Sequence, residues 1–249
     1  MSHFSCIGLD GASPEAFQQA VERCLSSASP ERGRLVWRDP SGAALVAHLD
    51  GDAIACVTPW FQAGAPSVWQ VTTRAPQLDE CVHCSGVACD LLVDGALASR
   101  AFVQLLRFTD LRAWLSTERT WTLEVVAFAH AFEAFDGAEQ FEAWQADFWR
   151  GPDGAPRTQQ DGRPMRFAET FFLPEGMFEQ PMQAMALFSG RAVSAQWHTN
   201  TLTGTRFGLV RLATLVGELN VVLADEGQRL PKPEQRCVVR AWLVGERRA

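Results

Sequence analysis

The sequence predicts an α+β fold: a strand-rich, sandwich-like body with a helix-covered, mainly antiparallel sheet over residues 1–181, and a small OB-like β-barrel over 182–249. Three observations predict it. An amphipathic helix signal near the start is followed by three strand-like runs, "RLVWR", "AALVAHL" and "DAIACVTPWF", separated by Pro40-Ser41-Gly42 and Asp50-Gly51-Asp52. A long run, "WTLEVVAFAHAFEAF", is apolar on both alternating sets, as in a doubly covered strand. After Pro181 come several short strands, the first interrupted by Gly190, which is the pattern of a small closed barrel.

The elements follow in order. "FSCIGLDG" reads as a short strand. In "SPEAFQQAVERCLSSA", Ser13 is an N-cap with Pro14 at the first helical position, and Phe17, Ala20, Val21, Cys24 and Leu25 make one apolar face. Past the three-strand meander, "SVWQVTTR", "CDLLVDG" and "FVQLLRF" read as strands and "DLRAWLS" as a short helix capped by Asp110. The β-branched and aromatic content of "WTLEVVAFAHAFEAF" favours strand over helix. "AEQFEAWQADFW" is an amphipathic helix through Phe141, Trp144, Phe148 and Trp149. "GPDGAPRTQQDGRP" has no apolar cluster and reads as an exposed loop. "TRFGLVRLATLV" and "ELNVVLAD" flank Gly217 as a hairpin, and "QRCVVRAWLVG" is a closing strand.

Composition excludes several classes. No stretch of eighteen apolar residues marks a membrane span, and "MSHFSCIGLDG" lacks the basic region and apolar core of a secretory signal. Seven cysteines, four of them in apolar patterns (Cys6, Cys24, Cys56, Cys237), point away from a secreted disulfide framework and toward the cytoplasm. Charge is uneven. From Ala184 onward nine basic residues face five acidic ones, while the rest holds thirteen basic and twenty-four acidic residues. An acidic body repels polyanions, so nucleic acid is not the expected partner. The basic segment docking on the acidic body would make the asymmetry structural.

Several stretches resemble an uncharacterised bacterial protein family: "SHFSCIGL", "VVAFAHAFEAF", "FAETFFLPEGMF", "ALFSGRAVSAQWHTNTLTG" and "GELNVVLAD". The resemblance spans most of the chain and implies an OB-type barrel at the C-terminal end, with no activity and no catalytic residue. The family form has proline where Thr201 stands, and the cysteine cluster lies outside the resemblance.

That cluster, "CVHCSGVACD", is the sharpest chemical motif. Cys81 and Cys84 have the spacing of a zinc knuckle, and Cys89 is a third candidate ligand. A fourth ligand has to come from afar, from Cys56 or His130. Asp79, Glu80 and Asp90 flank the cluster and disfavour a reactive thiolate. No other cofactor is expected.

His130, within the long strand, is the candidate catalytic histidine. On a regular strand Glu133 faces the other way, so the two make no dyad. His198, Asn200 and Thr203 form a polar turn suited to a small ligand at a barrel mouth. Trp242 is a candidate stacking residue, with Arg191, Arg206, Arg211 and Arg240 supplying charge for single-stranded nucleic acid or a saccharide. Phosphate-loop, dinucleotide, zinc-protease and serine-hydrolase signatures are absent. These observations lead to a non-enzymatic cytosolic protein that contacts another protein or a small ligand, with the cleft between body and barrel as its site. The alternatives are an enzyme built on His130 or on a metal at Cys81, Cys84 and Cys89, or a barrel that binds single strands or sugars.

Overall fold

The computed structural model describes residues 2–9, 13–31, 33–77, 85–107 and 120–248. Its helices are α1 (Pro14–Ser26) and α2 (Ala138–Phe148). Its strands are β1 (Ser29–Glu31), β2 (Arg34–Arg38), β3 (Ala43–Asp50), β4 (Ala53–Phe61), β5 (Val68–Gln77), β6 (Gly86–Val93), β7 (Ala96–Leu105), β8 (Thr120–Phe135), β9 (Phe172–Leu173), β10 (Met185–Thr199), β11 (Arg206–Thr214), β12 (Gly217–Ala224) and β13 (Arg236–Arg247). Strand makes up 52% against 14% helix, so the molecule is mostly β with two sheets and few helices, in keeping with the strand-rich part of the sequence reading. None of its helices, among the described residues, is long and apolar enough to cross a membrane. The short helix expected at "DLRAWLS" lies outside the described residues.

Helix α1 forms as its sequence dictates: the Ser13 hydroxyl accepts from the Ala16 N–H at 3.2 Å, and Pro14 opens the first turn. "FSCIGLDG" is not a strand. Ser5–Ile7 is a 3-10 turn ended by Gly8 in the left-handed region (φ 70°), a conformation glycine adopts at no steric cost. Strands β1 to β4 form an antiparallel meander, and Gly51 turns β3 into β4.

The larger sheet has nine strands and is organised by the antiparallel ladder between β8 and β13, which runs from Phe135↔Arg236 to Leu123↔Arg247. Each strand gives one edge to the other and divides its second edge. On β8, residues 120–124 pair with β5 and residues 126–128 with β12. On β13, residues 236–242 pair with β10 and residues 244–245 with β7. The β10–β11 and β11–β12 pairings close one ring of five strands; the β5–β6 and β6–β7 pairings close a second. The rings therefore lie end to end along one strand pair. Hydrogen-bond ladders cross position 181, since β8 belongs to the same ring as β10 to β13.

One apolar interior runs through both rings. Leu123, Val125 and Ala127 from β8 meet Val71, Cys89 and Val103 on one side and Phe188, Val210 and Val221 on the other. The opposite face of β8, through Val126 and Phe128, packs against the β2–β4 meander and the N-terminal turn. Helix α2 covers the far end, where Phe141 and Trp144 pack with Phe135, Phe167 and Phe171.

Ion pairs also cross position 181. Glu169 receives Arg191 and Arg236, Arg240 reaches Glu175 at 2.8 Å, and Arg248 reaches Glu124 at 2.9 Å. Pairs of this kind, each with at least one partner about half exposed, contribute about 0–1 kcal/mol each, so the ladder and apolar interior dominate the join.

Because β8 and β13 belong to both rings, neither ring unfolds without the other. Urea unfolding followed by tryptophan fluorescence and by far-UV circular dichroism will give coincident single transitions. Phe188→Ala, which empties a fully buried site, will lower stability by about 3–5 kcal/mol and shift both probes together. Two separated transitions would contradict the shared-ladder architecture.

Candidate functional site

The site begins with an irregularity in β8. Arg240 pairs with Ala131 and Ala241 with Ala129, so His130 is an extra residue with no partner across the ladder. Such a bulge bends the strand and re-aims its side chain. It also inverts the alternation: Ala127 and Ala129 face the interior before it, Phe132 and Ala134 after it.

The His130 ring meets His3. Their Nε2 atoms are 2.5 Å apart, the ring centroids 4.5 Å apart and the planes nearly perpendicular at 78°. Two imidazoles facing in this way share one proton: one donates N–H and the other accepts, in opposite tautomers. His3 in turn stacks on Trp242, with centroids 4.0 Å apart and planes 24° apart, and Trp242 rests against Phe128. Burial first, and the facing His130 second, push the His3 pKa down to about 4. Burial, with Arg240 nearby, lowers that of His130. Both rings are neutral at pH 7.

His3 is held by its own segment. The Cys6 thiol, buried and raised to about 12 by desolvation, donates to the Ala129 carbonyl at 3.3 Å, next to the bulge. The Asn200 amide donates to the Ile7 carbonyl at 2.9 Å and accepts from the Leu202 N–H at 3.0 Å. The Thr203 hydroxyl donates to the Gly8 carbonyl at 2.6 Å. Asn200 and Thr203, candidate ligand groups by sequence, thus have polar atoms committed to the backbone that carries His3.

His3, His130 and Trp242 line a cavity of about 340 Å³ with walls from both sides of position 181. One wall is the start of β6 and the facing part of β7, including Ser85, Gly86 and Phe102; the other is the segment leading into β10, including Met182 and Met185. Gly86 is needed where it stands: a Cβ there would lie 2.6 Å from the Val103 carbonyl oxygen and 2.5 Å from the Phe102 ring. No acidic or basic side chain other than the two histidines is among the lining residues described.

The remaining candidates are placed elsewhere. His198 stacks on Phe207, meets the Phe61 edge and bonds Gln196 at 2.8 Å; burial lowers its pKa. Cys89 is fully buried on the inward face of β6, with its thiol aimed at the Ala101 carbonyl and raised to about 12. Cys81 and Cys84 lie outside the described residues. Among the described residues no group of three or more His, Cys, Asp or Glu side chains is arranged to hold a metal. The structure brings together His130 and Trp242 of the sequence candidates and adds His3. The signal for His3 is not in its local pattern, since its partner stands 127 positions away.

Comparison with protein-family models, with curated proteins and with solved structures gives no match.

Two outcomes follow. Histidines whose pKa is lower in the folded than in the unfolded state leave the unfolded chain holding more protons between pH 4 and 6.5, so stability rises with pH across that window and is fully present above it. Between pH 5.5 and 7, where carboxylates are ionised in both states, the urea midpoint will rise with pH, and His3→Gln will flatten the slope; an unchanged slope would contradict the burial of His3. Asn200→Ala leaves the Ile7 carbonyl without its donor and will cost about 1–3 kcal/mol in the same assay.

Proposed function

We propose that this is a non-enzymatic, cytosolic binding protein whose ligand is a small uncharged molecule held in the His3–His130–Trp242 cavity. One observation carries the reading: two neutral imidazoles and an indole, drawn from three distant parts of the chain, converge at a strand bulge that opens into a concave, otherwise uncharged cavity. Apolar walls with a few fixed polar atoms are what small-molecule sites are made of. Burying an organic ion there, with no coordinate bonds to offset its desolvation, would require a counter-charge that the described lining does not offer. Binding is favoured over catalysis because each imidazole's nearest polar partner is the other imidazole, with no carboxylate among the described residues to orient it as a base. The free thiols of Cys6, Cys24, Cys89 and Cys237 support a reducing compartment.

The five-strand ring of β8 and β10 to β13 supports reading the C-terminal part as an OB-like barrel. At the end of that ring, on the side of β10 and β11 that Ala195 and Val210 turn inward, the Arg206 guanidinium lies 4.4 Å over the Trp197 ring, a surface that resembles a stacking platform. Arg206 is paired with Asp225 and Arg211 with Glu218, so phosphates would compete with built-in carboxylates. This favours the cavity over single-stranded nucleic acid as the functional site.

Titration with indole and with benzimidazole, followed by the ring resonances of Trp242 and His130, tests the reading. Binding with a Kd of about 1 mM or tighter is expected, and Trp242→Ala together with His130→Ala will abolish it. Fragment binding that persists in the double variant, or no binding by either fragment, would overturn the assignment.

A further inference from the structure

Resting on the reading of this cavity as a binding site, we propose that its His3–His130 pair is a metal site, selective for monovalent copper. The two Nε2 atoms point at each other from independent elements, a short N-terminal turn and a strand bulge. Two imidazoles on one tetrahedral ion stand about 3.3 Å apart, given metal–nitrogen bonds of about 2.0–2.1 Å. The present 2.5 Å separation therefore needs to widen by less than about 1 Å. His3 lines the cavity and stacks on the flat Trp242 ring, so a small shift parallel to that ring would widen the gap.

The rest of the donor set selects the ion. Met182 and Met185 line the same cavity, and Met185 stands directly opposite Trp242 in the β10–β13 ladder, beside the ring that carries His3. Thioether is a soft donor and imidazole an intermediate one, both neutral, and together they suit monovalent copper. Calcium and magnesium need carboxylate or carbonyl oxygens in number, and the described lining has no Asp or Glu. Charge points the same way. With neutral ligands in a partly desolvated cavity, the solvation cost grows as the square of the ionic charge, so a dication is penalised about four times as heavily as a monocation.

The test uses the full chain with Cys56, Cys81 and Cys84 replaced by serine, so that these thiols do not compete. Monovalent copper is supplied under anaerobic reducing conditions against the chelator bicinchoninate, and the imidazole nitrogens are followed by long-range proton–nitrogen correlation. One copper per chain is expected, with the resonances of His3 and His130 shifted and those of the other three histidines unmoved. His130→Ala will weaken retention by about tenfold or more, and Met185→Leu, which preserves volume, will weaken it without disturbing the fold. Zinc ion in place of copper will leave both rings unshifted at equal concentration. The proposal fails if copper is surrendered completely to the chelator, if it is retained while His3 and His130 stay unmoved, or if zinc shifts them equally. Indole binding that survives alongside copper failure would retain the cavity as an organic-ligand site and remove only the metal.

Discussion

The ladder between β8 and β13 is the constraint on which the rest of the structure depends. A strand has two edges. By giving one to each other over their whole length, these two strands leave the remaining edge of each to be divided between two neighbours. The division places one ring of strands after the other and makes their interiors continuous. It also explains why β8 carries apolar residues on both faces: Leu123 and Val125 fill the rings, while Val126 and Phe128 seat the meander and the N-terminal turn.

The same ladder creates the site. Within that long pairing, the one extra residue at position 130 bends the strand and sharpens its local twist. The bend lies where the segment before β10 passes over β13, so the displaced imidazole opens into a hollow rather than into a packed layer. The N-terminal turn closes the arrangement, fixed by Asn200 and Thr203 below and by Cys6 beside the bulge. Amide and hydroxyl groups hold the backbone, and the imidazoles face the space.

Much of the secondary structure was legible because its causes are local. Ser13-Pro14 starts a helix, Gly51 and Gly217 turn hairpins, and the β-branched content of 120–135 makes a strand, each through forces within a few residues. What was not legible has non-local causes. "FSCIGL" has strand composition, yet Gly8 and two hydrogen bonds from residues near position 200 curl it into a turn. Alternation along β8 holds up to Ala129 and then inverts, because a bulge is set by the partner strand's register. Trp242 reads from sequence as a candidate stacking residue for a ligand; in the fold His3 already stacks on its ring. The strands after Pro181 join those before it in one sheet, a pairing between distant segments that no local pattern announces.

A strand common to both rings has a consequence for synthesis. Translation delivers β13 after every other strand in the sheet, so neither circuit can close while residues 236–247 are still within the ribosome. Until then β8 presents an unpaired edge along its length, and β7 and β10 each lack one neighbour, leaving backbone donors and acceptors open to strands of other chains. The arrival of one twelve-residue segment removes these liabilities together. Before β13 is captured the chain therefore carries open strand edges that the finished sheet does not have.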